Sequence, residues 1–345
     1  MAQQSLAVKY RPVSFNDMTE QSAIKDILEN QIKTNSFQNG YLFTGPAGTG
    51  KTTSARIFAS MINDGKGNPI EVDAASNSGV DNVRQIIEDA KRKPLDAEYK
   101  IFIVDECHSL SDSSWQALLK TLEEPPKFTI FIFCTTNPEK IPATILSRVQ
   151  RYNFQKISNE GIVDRLNMIL KKESDEIDNL SCKLNWEQDA LEFISKVSSG
   201  GMRDAITLLD KCLSLSRTLN LENVLKTIGG EDYSTFITFL SALEEKEKEI
   251  SIKVVEDVYN AGKDVKQFMK DFSKFILEVG KYSLYKNFDY ISLPNTLENE
   301  LKQLIDDSLF DIMDFVVSLN SQIKWDSDPK TLIELSILIY CGKES

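Results

Sequence analysis

The chain has 345 residues, 41% of them hydrophobic and 27% charged, with a formal net charge of −12. That length accommodates two or three domains of roughly 150 residues, each with its own core, which excludes wholesale disorder and fibrous repeats. Basic and acidic residues balance at 18 each up to Lys156, so the whole acidic excess lies beyond it; nucleic-acid binding over the entire surface is excluded, whereas a local basic face on the first part is not.

The longest apolar run, around Ile130–Cys134, is far shorter than the roughly 18–20 residues of a spanning helix, and Met1 to Val13 lack the layout of a signal peptide. No membrane association and a cytoplasmic location are expected. Five cysteines, Cys107, Cys134, Cys182, Cys212 and Cys341, form no C-x-x-C pair and read as reduced structural thiols. The chain has one histidine, His108, which excludes a histidine-rich metal site.

Residues 1–156 alternate short apolar runs with amphipathic stretches. Buried strands are predicted at Tyr41–Thr44, Ile70–Val72, Ile101–Val104 and Thr129–Cys134. Helices are predicted between them at Thr52–Ile62, Val80–Ala90 and Ser114–Leu122, the last opened by a Ser113/Gln116 capping box and ended by Glu124-Pro125-Pro126. Alternation of this kind implies an α/β domain with a parallel sheet covered on both faces.

Beyond Lys156 the strand signal disappears. Helices are predicted at Ile162–Lys171, Glu187–Ser198 and Arg203–Ser214, with Gly200-Gly201 separating the last two. A second break at Gly229-Gly230 introduces an all-helical region in which Val265, Phe268, Met269, Phe272 and Ile276 mark one apolar face. The division expected is 1–156, 157–220 and 221–345.

The strongest chemical signal is Gly45-Pro46-Ala47-Gly48-Thr49-Gly50-Lys51-Thr52, a full G-x-x-x-x-G-K-[ST] between a strand and a helix. Its glycines let successive backbone N–H groups point at phosphates, and the helix N-terminus adds partial positive charge. Lys51 is the candidate for holding the β- and γ-phosphates of ATP, Thr52 for holding Mg²⁺, and Thr53 adjoins them. Ile101–Val104 then delivers Asp105 and Glu106 at a strand end, Asp105 suited to Mg²⁺ and Glu106 to orienting or deprotonating the attacking water. His108 reads as a structural or coupling residue.

Weaker signals follow. Thr136 and Asn137 stand at the end of the next strand, where a polar group reaches the water or the γ-phosphate; a turn before Pro138 explains Asn137 equally well. Arg148 at the edge of the first domain suits an arginine finger inserted into a neighbouring subunit's site, although a surface arginine reads the same in isolation. Arg203 opens a helix of the second domain and is placed to report ATP to it. Asp105-Glu106-Cys107-His108 is similar to a helicase DECH box, but such enzymes need a second nucleotide-binding α/β domain, and no second parallel-sheet pattern is present.

In family order stand Lys9-Tyr10-Arg11-Pro12, Phe15, Gln21, the phosphate loop, Asp73-Ala74-Ala75-Ser76, Asp105-Glu106, Leu122-Glu123-Glu124-Pro125-Pro126, Thr135-Thr136-Asn137-Pro138, Ser147-Arg148 and Gly201-Met202-Arg203-Asp204-Ala205. Together these resemble the AAA+ clamp loader family, and within it the gamma/tau ATPase subunits of bacterial DNA polymerase III, densely over residues 5–215. The resemblance implies an AAA+ ATPase domain, a helical lid and a helical oligomerisation collar. It also implies ATP-driven assembly with other loader subunits, as a pentamer, that opens a sliding clamp and sets it on primer–template DNA. Thr136 or Asn137 would be the first sensor, Arg148 the trans finger and Arg203 the second sensor, while Ala7, Val8, Tyr10, Arg11 and Pro12 would line the adenine pocket. Arg84 and Lys91-Arg92-Lys93 are candidates for gripping DNA, a solvated charge run being the plainer reading of the latter.

Three departures from the family pattern stand out. The four-cysteine zinc module is replaced by the short stretch Met61–Pro69, so no zinc is expected. The Ser-Arg-Cys triplet is Ser147-Arg148-Val149, and the chain stops at Ser345 without the tau extension. The competing readings are another AAA+ DNA remodeller of branch-migration type and a non-hydrolysing scaffold subunit of the same loader; intact Lys51, Thr52, Asp105 and Glu106 speak against the scaffold.

Overall fold

A computed structural model describes residues 4–176, 183–228, 233–288, 291–294, 297–304 and 308–342. The chain divides into two compact units, Met1–Thr218 and Leu219–Ser345.

The first unit is built on five parallel strands: β1 Gly40–Thr44, β2 Ile70–Asp73, β3 Lys100–Asp105, β4 Thr129–Thr135 and β5 Gln150–Asn153, in the order β2-β3-β4-β1-β5. Each predicted strand is present within a residue or two. The edge strand β5 was not read from the sequence, because Gln150, Arg151 and Asn153 are exposed and Tyr152 alone is buried, leaving no apolar run to signal it.

Period-2 alternation assigns side chains to the two faces of the sheet. Tyr41, Phe43, Ile101, Ile103, Ile130 and Ile132 meet helices α2 Ser22–Lys33 and α3 Lys51–Ile62 through Leu28, Ile57 and Phe58. Leu42, Phe102, Val104, Phe131 and Phe133 meet α4 Val80–Ala90, α5 Asp112–Glu123 and α6 Ala143–Leu146 through Val83, Trp115, Leu118, Leu122 and Ile145. Before α2 lies a one-turn helix, α1 Leu6–Lys9.

One local expectation fails. Helix α5 is capped by Ser111, whose hydroxyl accepts the Ser114 N–H at 3.2 Å, and not by Ser113. The helix starts earlier because Ser111 keeps an extended backbone while Asp112, placed in the first turn, favours the positive end of the helix. Ser111→Ala is expected to cost about 1 kcal/mol. Urea unfolding followed by Trp115, buried against Phe133 at 5.5 Å between ring centroids, checks this in a chain whose Trp186 and Trp325 are replaced by phenylalanine.

The same unit continues into α7 Asn159–Asp175, α8 Gln188–Val197 and α9 Met202–Leu215. Leu166, Ile169 and Leu170 of α7, Leu191 and Ile194 of α8, and Ile206 and Leu209 of α9 are all buried. Gly200, with φ +88°, turns the chain between α8 and α9 where an added Cβ would stand 2.7 Å from the Lys156 Cβ, so glycine is required there. The two-residue strands Asn185–Trp186 and Thr218–Leu219 correct the expectation that no strand follows Lys156.

From Leu221 onward the described elements are helices: α10 Leu221–Ile228, α11 Tyr233–Glu244, α12 Lys248–Asn260, α13 Val265–Tyr285, α14 Glu298–Gln303, α15 Leu309–Ile323 and α16 Pro329–Gly342. All five residues expected on the apolar face of α13 are buried, and its Phe272 packs edge-on to Phe239 of α11 at 4.7 Å. Cys107, Cys134, Cys212 and Cys341 are buried; Cys182 and the Gly229-Gly230 break lie outside the described residues.

Candidate nucleotide site

The carboxyl ends of β1, β4 and β3 share one edge of the sheet, where Thr44 pairs with Thr135 and Val104 with Phe133. This is the edge at which open α/β sheets bind ligands. The phosphate loop leaves β1 through Gly45, whose φ of +140° and an added Cβ at 2.3 Å from the Phe154 carbonyl admit no side chain. Gly48 (φ +72°) and Gly50 (φ +99°) complete the wrap before α3 begins at Lys51.

Lys51 is 6% exposed, and its ammonium donates to the Gly45 and Pro46 carbonyls at 2.8 and 2.7 Å. Burial pushes it below the ordinary lysine range, against the opposing pull of Glu106 and Asp105. The loop is thus curled around its own cation, with the Thr49 hydroxyl on Pro46 O at 2.9 Å. The Thr52 hydroxyl donates to Asp105 Oδ2 at 2.9 Å. This pair of hard oxygen ligands suits Mg²⁺, which takes one or two protein oxygens and fills its remaining positions with phosphate and water. Thr53 follows, half-buried in the first turn of α3.

Glu106 leaves β3 in the left-handed region, φ +45°, a conformation that costs energy for a residue with a side chain and that clusters at functional sites. Its N–H donates to Asp105 Oδ1 at 3.0 Å, and its Oε2 accepts the Thr136 hydroxyl at 3.1 Å. His108 Nδ1 stands 3.3 Å from the same carboxylate oxygen and 3.0 Å from Thr135 Oγ1. Of the two sensor candidates, Thr136 is therefore the one that reaches the acidic pair; Asn137 donates its backbone N–H to Thr135 Oγ1. Burial raises the Cys107 and Cys134 thiols, which pack beneath this edge as inert core groups.

The start of α9 lies against the loop: the Met202 N–H donates to Gly48 O at 3.0 Å, and an added Cβ on Gly48 would be 3.3 Å from Arg203 N. Arg203 is exposed beside the glycines. The segment Ala7–Pro12 is held by α7 and α9. Leu6 N–H bonds Asp210, the Lys9 ammonium bonds Glu173 and Glu176 at 2.7 and 2.6 Å, and the Tyr10 hydroxyl bonds Glu173 at 2.8 Å. Arg165 donates to the Tyr10 and Asp17 carbonyls. Burial, reinforced by Glu173, pushes the Tyr10 phenol up to about 12, and the hydrogen bonds that Lys9 donates to Glu173 and Glu176 raise Lys9. Ala7 and Pro12 are half-buried, while Val8 and Arg11 are exposed. Glu173, Glu176, Asp210 and Arg165 were missed from sequence, since charged residues on a helix read as a solvated face until their partners are known.

Arg148 is not brought to this site. It precedes β5, whose Gln150 pairs with Tyr41 near the start of β1, whereas the phosphate loop follows the end of β1. Four residue steps along a strand separate Tyr41 from Gly45, about 13 Å. The basic candidates also lie elsewhere: Arg84 is exposed and paired with Asp81 at 3.2 Å, Lys91 is paired with Glu88, and Arg92 and Lys93 are exposed at the end of α4.

A family described as "DNA polymerase III, delta subunit" matches residues 70–158. The tau subunit of DNA polymerase III from Bacillus subtilis is 33% identical over 99% of this chain and 64% of its own length. The gamma subunit from Buchnera aphidicola subsp. Schizaphis graminum is 30% identical over 89% of this chain and 88% of its own. The chain belongs to the gamma/tau subunit family of bacterial DNA polymerase III. As a gamma/tau family member it spans just under two thirds of the length of the Bacillus relative. In fold it is similar to a Thermotoga maritima RuvB branch-migration motor, with TM-score 0.51 and 21% identity over 68% of this chain and 79% of that one, which places the gamma/tau chain among AAA+ folds. Residues 63–69 join α3 to β2. No described helix is long and apolar enough to cross a membrane.

Proposed function

We propose that this chain is an ATP-hydrolysing subunit of a sliding-clamp loader, organised as an ATPase domain (1–156), a lid (157–220) and an oligomerisation collar (221–345). The observation that carries the reading is the unbroken line Thr52–Asp105–Glu106–Thr136 at the mouth of the phosphate loop. In it, Thr52 donates to Asp105, Asp105 accepts the Glu106 backbone N–H, and the Glu106 carboxylate accepts from Thr136.

In this reading Lys51 exchanges the Gly45 and Pro46 carbonyls for the β- and γ-phosphates, and the backbone N–H groups from Ala47 to Thr53 surround them. Thr52 and Asp105 would hold Mg²⁺, whose charge would offset the negative charge developing on the phosphates. Glu106 takes a proton from the attacking water, and Thr136 fixes the carboxylate that receives it. Tyr10 and the rest of Ala7–Pro12 flank the adenine, and Arg203 carries the state of the γ-phosphate to α9. The far position of Arg148 supports a finger delivered to a neighbouring subunit. Partners are other loader subunits in a pentamer, the sliding clamp and primer–template DNA, with a cytoplasmic location.

The test is steady-state ATP turnover with and without clamp and primer–template DNA. Stimulation by both supports the loader; turnover indifferent to the clamp favours a branch-migration type of motor. Arg84→Ala is expected to lower the DNA-stimulated rate while leaving the basal rate within about two-fold. The Arg84–Asp81 pair is exposed and worth at most about 1 kcal/mol, so a DNA phosphate replaces it readily. A parallel loss of both rates would remove Arg84 from the DNA interface.

A further inference from the structure

The root and head of Arg148 are both fixed by its own chain. At the root, Val149 Cγ1, the Arg148 carbonyl and Leu122 Cδ2 crowd the start of β1 so closely that an added Cβ on Gly40 would meet them at 3.0, 3.4 and 3.7 Å. At the head, one terminal nitrogen of the guanidinium donates to the Thr144 carbonyl at 2.6 Å and to Ser147 Oγ at 3.0 Å, while the other donates to Glu123 Oε1 at 2.5 Å. Glu123 is the last residue of α5, which stops at Glu124 before Pro125-Pro126, so its backbone position is set by a helix that proline prevents from continuing. The Arg148 side chain remains 32% exposed. Three of its five N–H groups are engaged by these contacts, which leaves two for an outside acceptor.

We propose that Glu123 is the positioning residue of the arginine finger: it holds the Arg148 guanidinium in one orientation before a neighbouring subunit's phosphate arrives. The proposal rests on the reading of Arg148 as a trans finger. An unrestrained arginine surrenders side-chain freedom on docking. One already held by a carboxylate, a helix-end carbonyl and a hydroxyl has lost that freedom in advance, and its remaining N–H groups are aimed. A neutral amide at position 123 keeps an acceptor oxygen, so orientation, and not charge alone, is the property that Glu123→Gln retains and Glu123→Ala removes.

The experiment mixes two versions of the full chain. An acceptor carries Arg148→Ala; a donor carries Lys51→Ala and so offers a finger without turning over ATP itself. With Glu123 intact, the donor is expected to restore turnover. Donors with Glu123→Ala should restore five- to ten-fold less at an unchanged KM for ATP, and donors with Glu123→Gln within two-fold of the intact donor. If the intact donor restores nothing, the finger reading fails. If it restores turnover and Glu123→Ala does so equally or better, the positioning role is overturned while the finger stands. Guanidinium NMR of each chain alone supplies a readout independent of assembly. The Arg148 signals, identified by their loss in Arg148→Ala, should show restricted Nη rotation in the parent and Glu123→Gln chains and free rotation in Glu123→Ala. Restricted rotation in all three would also overturn the proposal.

Discussion

Glu106→Gln is expected to lower ATP turnover by about 10² to 10⁴-fold, the range carried by a positioned general base, while leaving ATP affinity within a few-fold. The substitution keeps shape and an acceptor oxygen, so the bond from Thr136, now 3.1 Å, survives. What it removes is the basic carboxylate at the one point beside the phosphate loop where a left-handed backbone has turned it out of β3. Single-turnover chemistry measured beside equilibrium ATP binding separates the two quantities. A loss under ten-fold would mean that another group takes the proton from water. Because Thr136 meets Glu106 and not the phosphate loop in this structure, Thr136→Ala should act in the same direction by freeing the carboxylate.

Arg148→Ala is expected to have a comparable or larger effect, about 10³ to 10⁵-fold, the range recorded for fingers that stabilise transition-state charge. Its signature is dependence on a second subunit. In the parent, turnover per chain should fall on dilution as neighbours separate; in Arg148→Ala it should already sit at the residual level and ignore concentration. Turnover against protein concentration for both chains makes the comparison. A large loss that persists undiminished at the lowest parent concentrations would instead place Arg148 in a role within its own subunit. The register Tyr41↔Gln150 argues against that, since it sets the arginine at the end of the sheet remote from Lys51.

These two expectations differ in how much of their support was readable from the chain itself. The phosphate loop, Asp105, Glu106 and the α/β class were legible because the chemistry is local: glycines at fixed spacing permit the wrap, and an apolar run ending in carboxylates permits a buried strand with a polar tip. Strands β1, β3 and β4 announced themselves because, buried on both faces, they are continuous apolar runs. Strand β5 did not, since an edge strand of Gln150, Arg151 and Asn153 owes its conformation to hydrogen bonds with β1 and not to its own composition. The cap of α5 was misplaced by two residues because three serines compete locally and only the packed helix chooses among them.

Sequence thus nominated the candidate groups, and tertiary structure alone decided which of them meet. Thr136 reaches Glu106 and Asn137 does not; Lys9 and Tyr10 bond to α7; the start of α9 touches Gly48; Arg148 stands apart with Glu123. Each of these pairs joins residues 25 or more positions apart, with no periodicity linking them. Strand order and register set such distances, and both follow from burying two faces of a sheet at once, a condition satisfied by the whole chain and written in no short stretch of it.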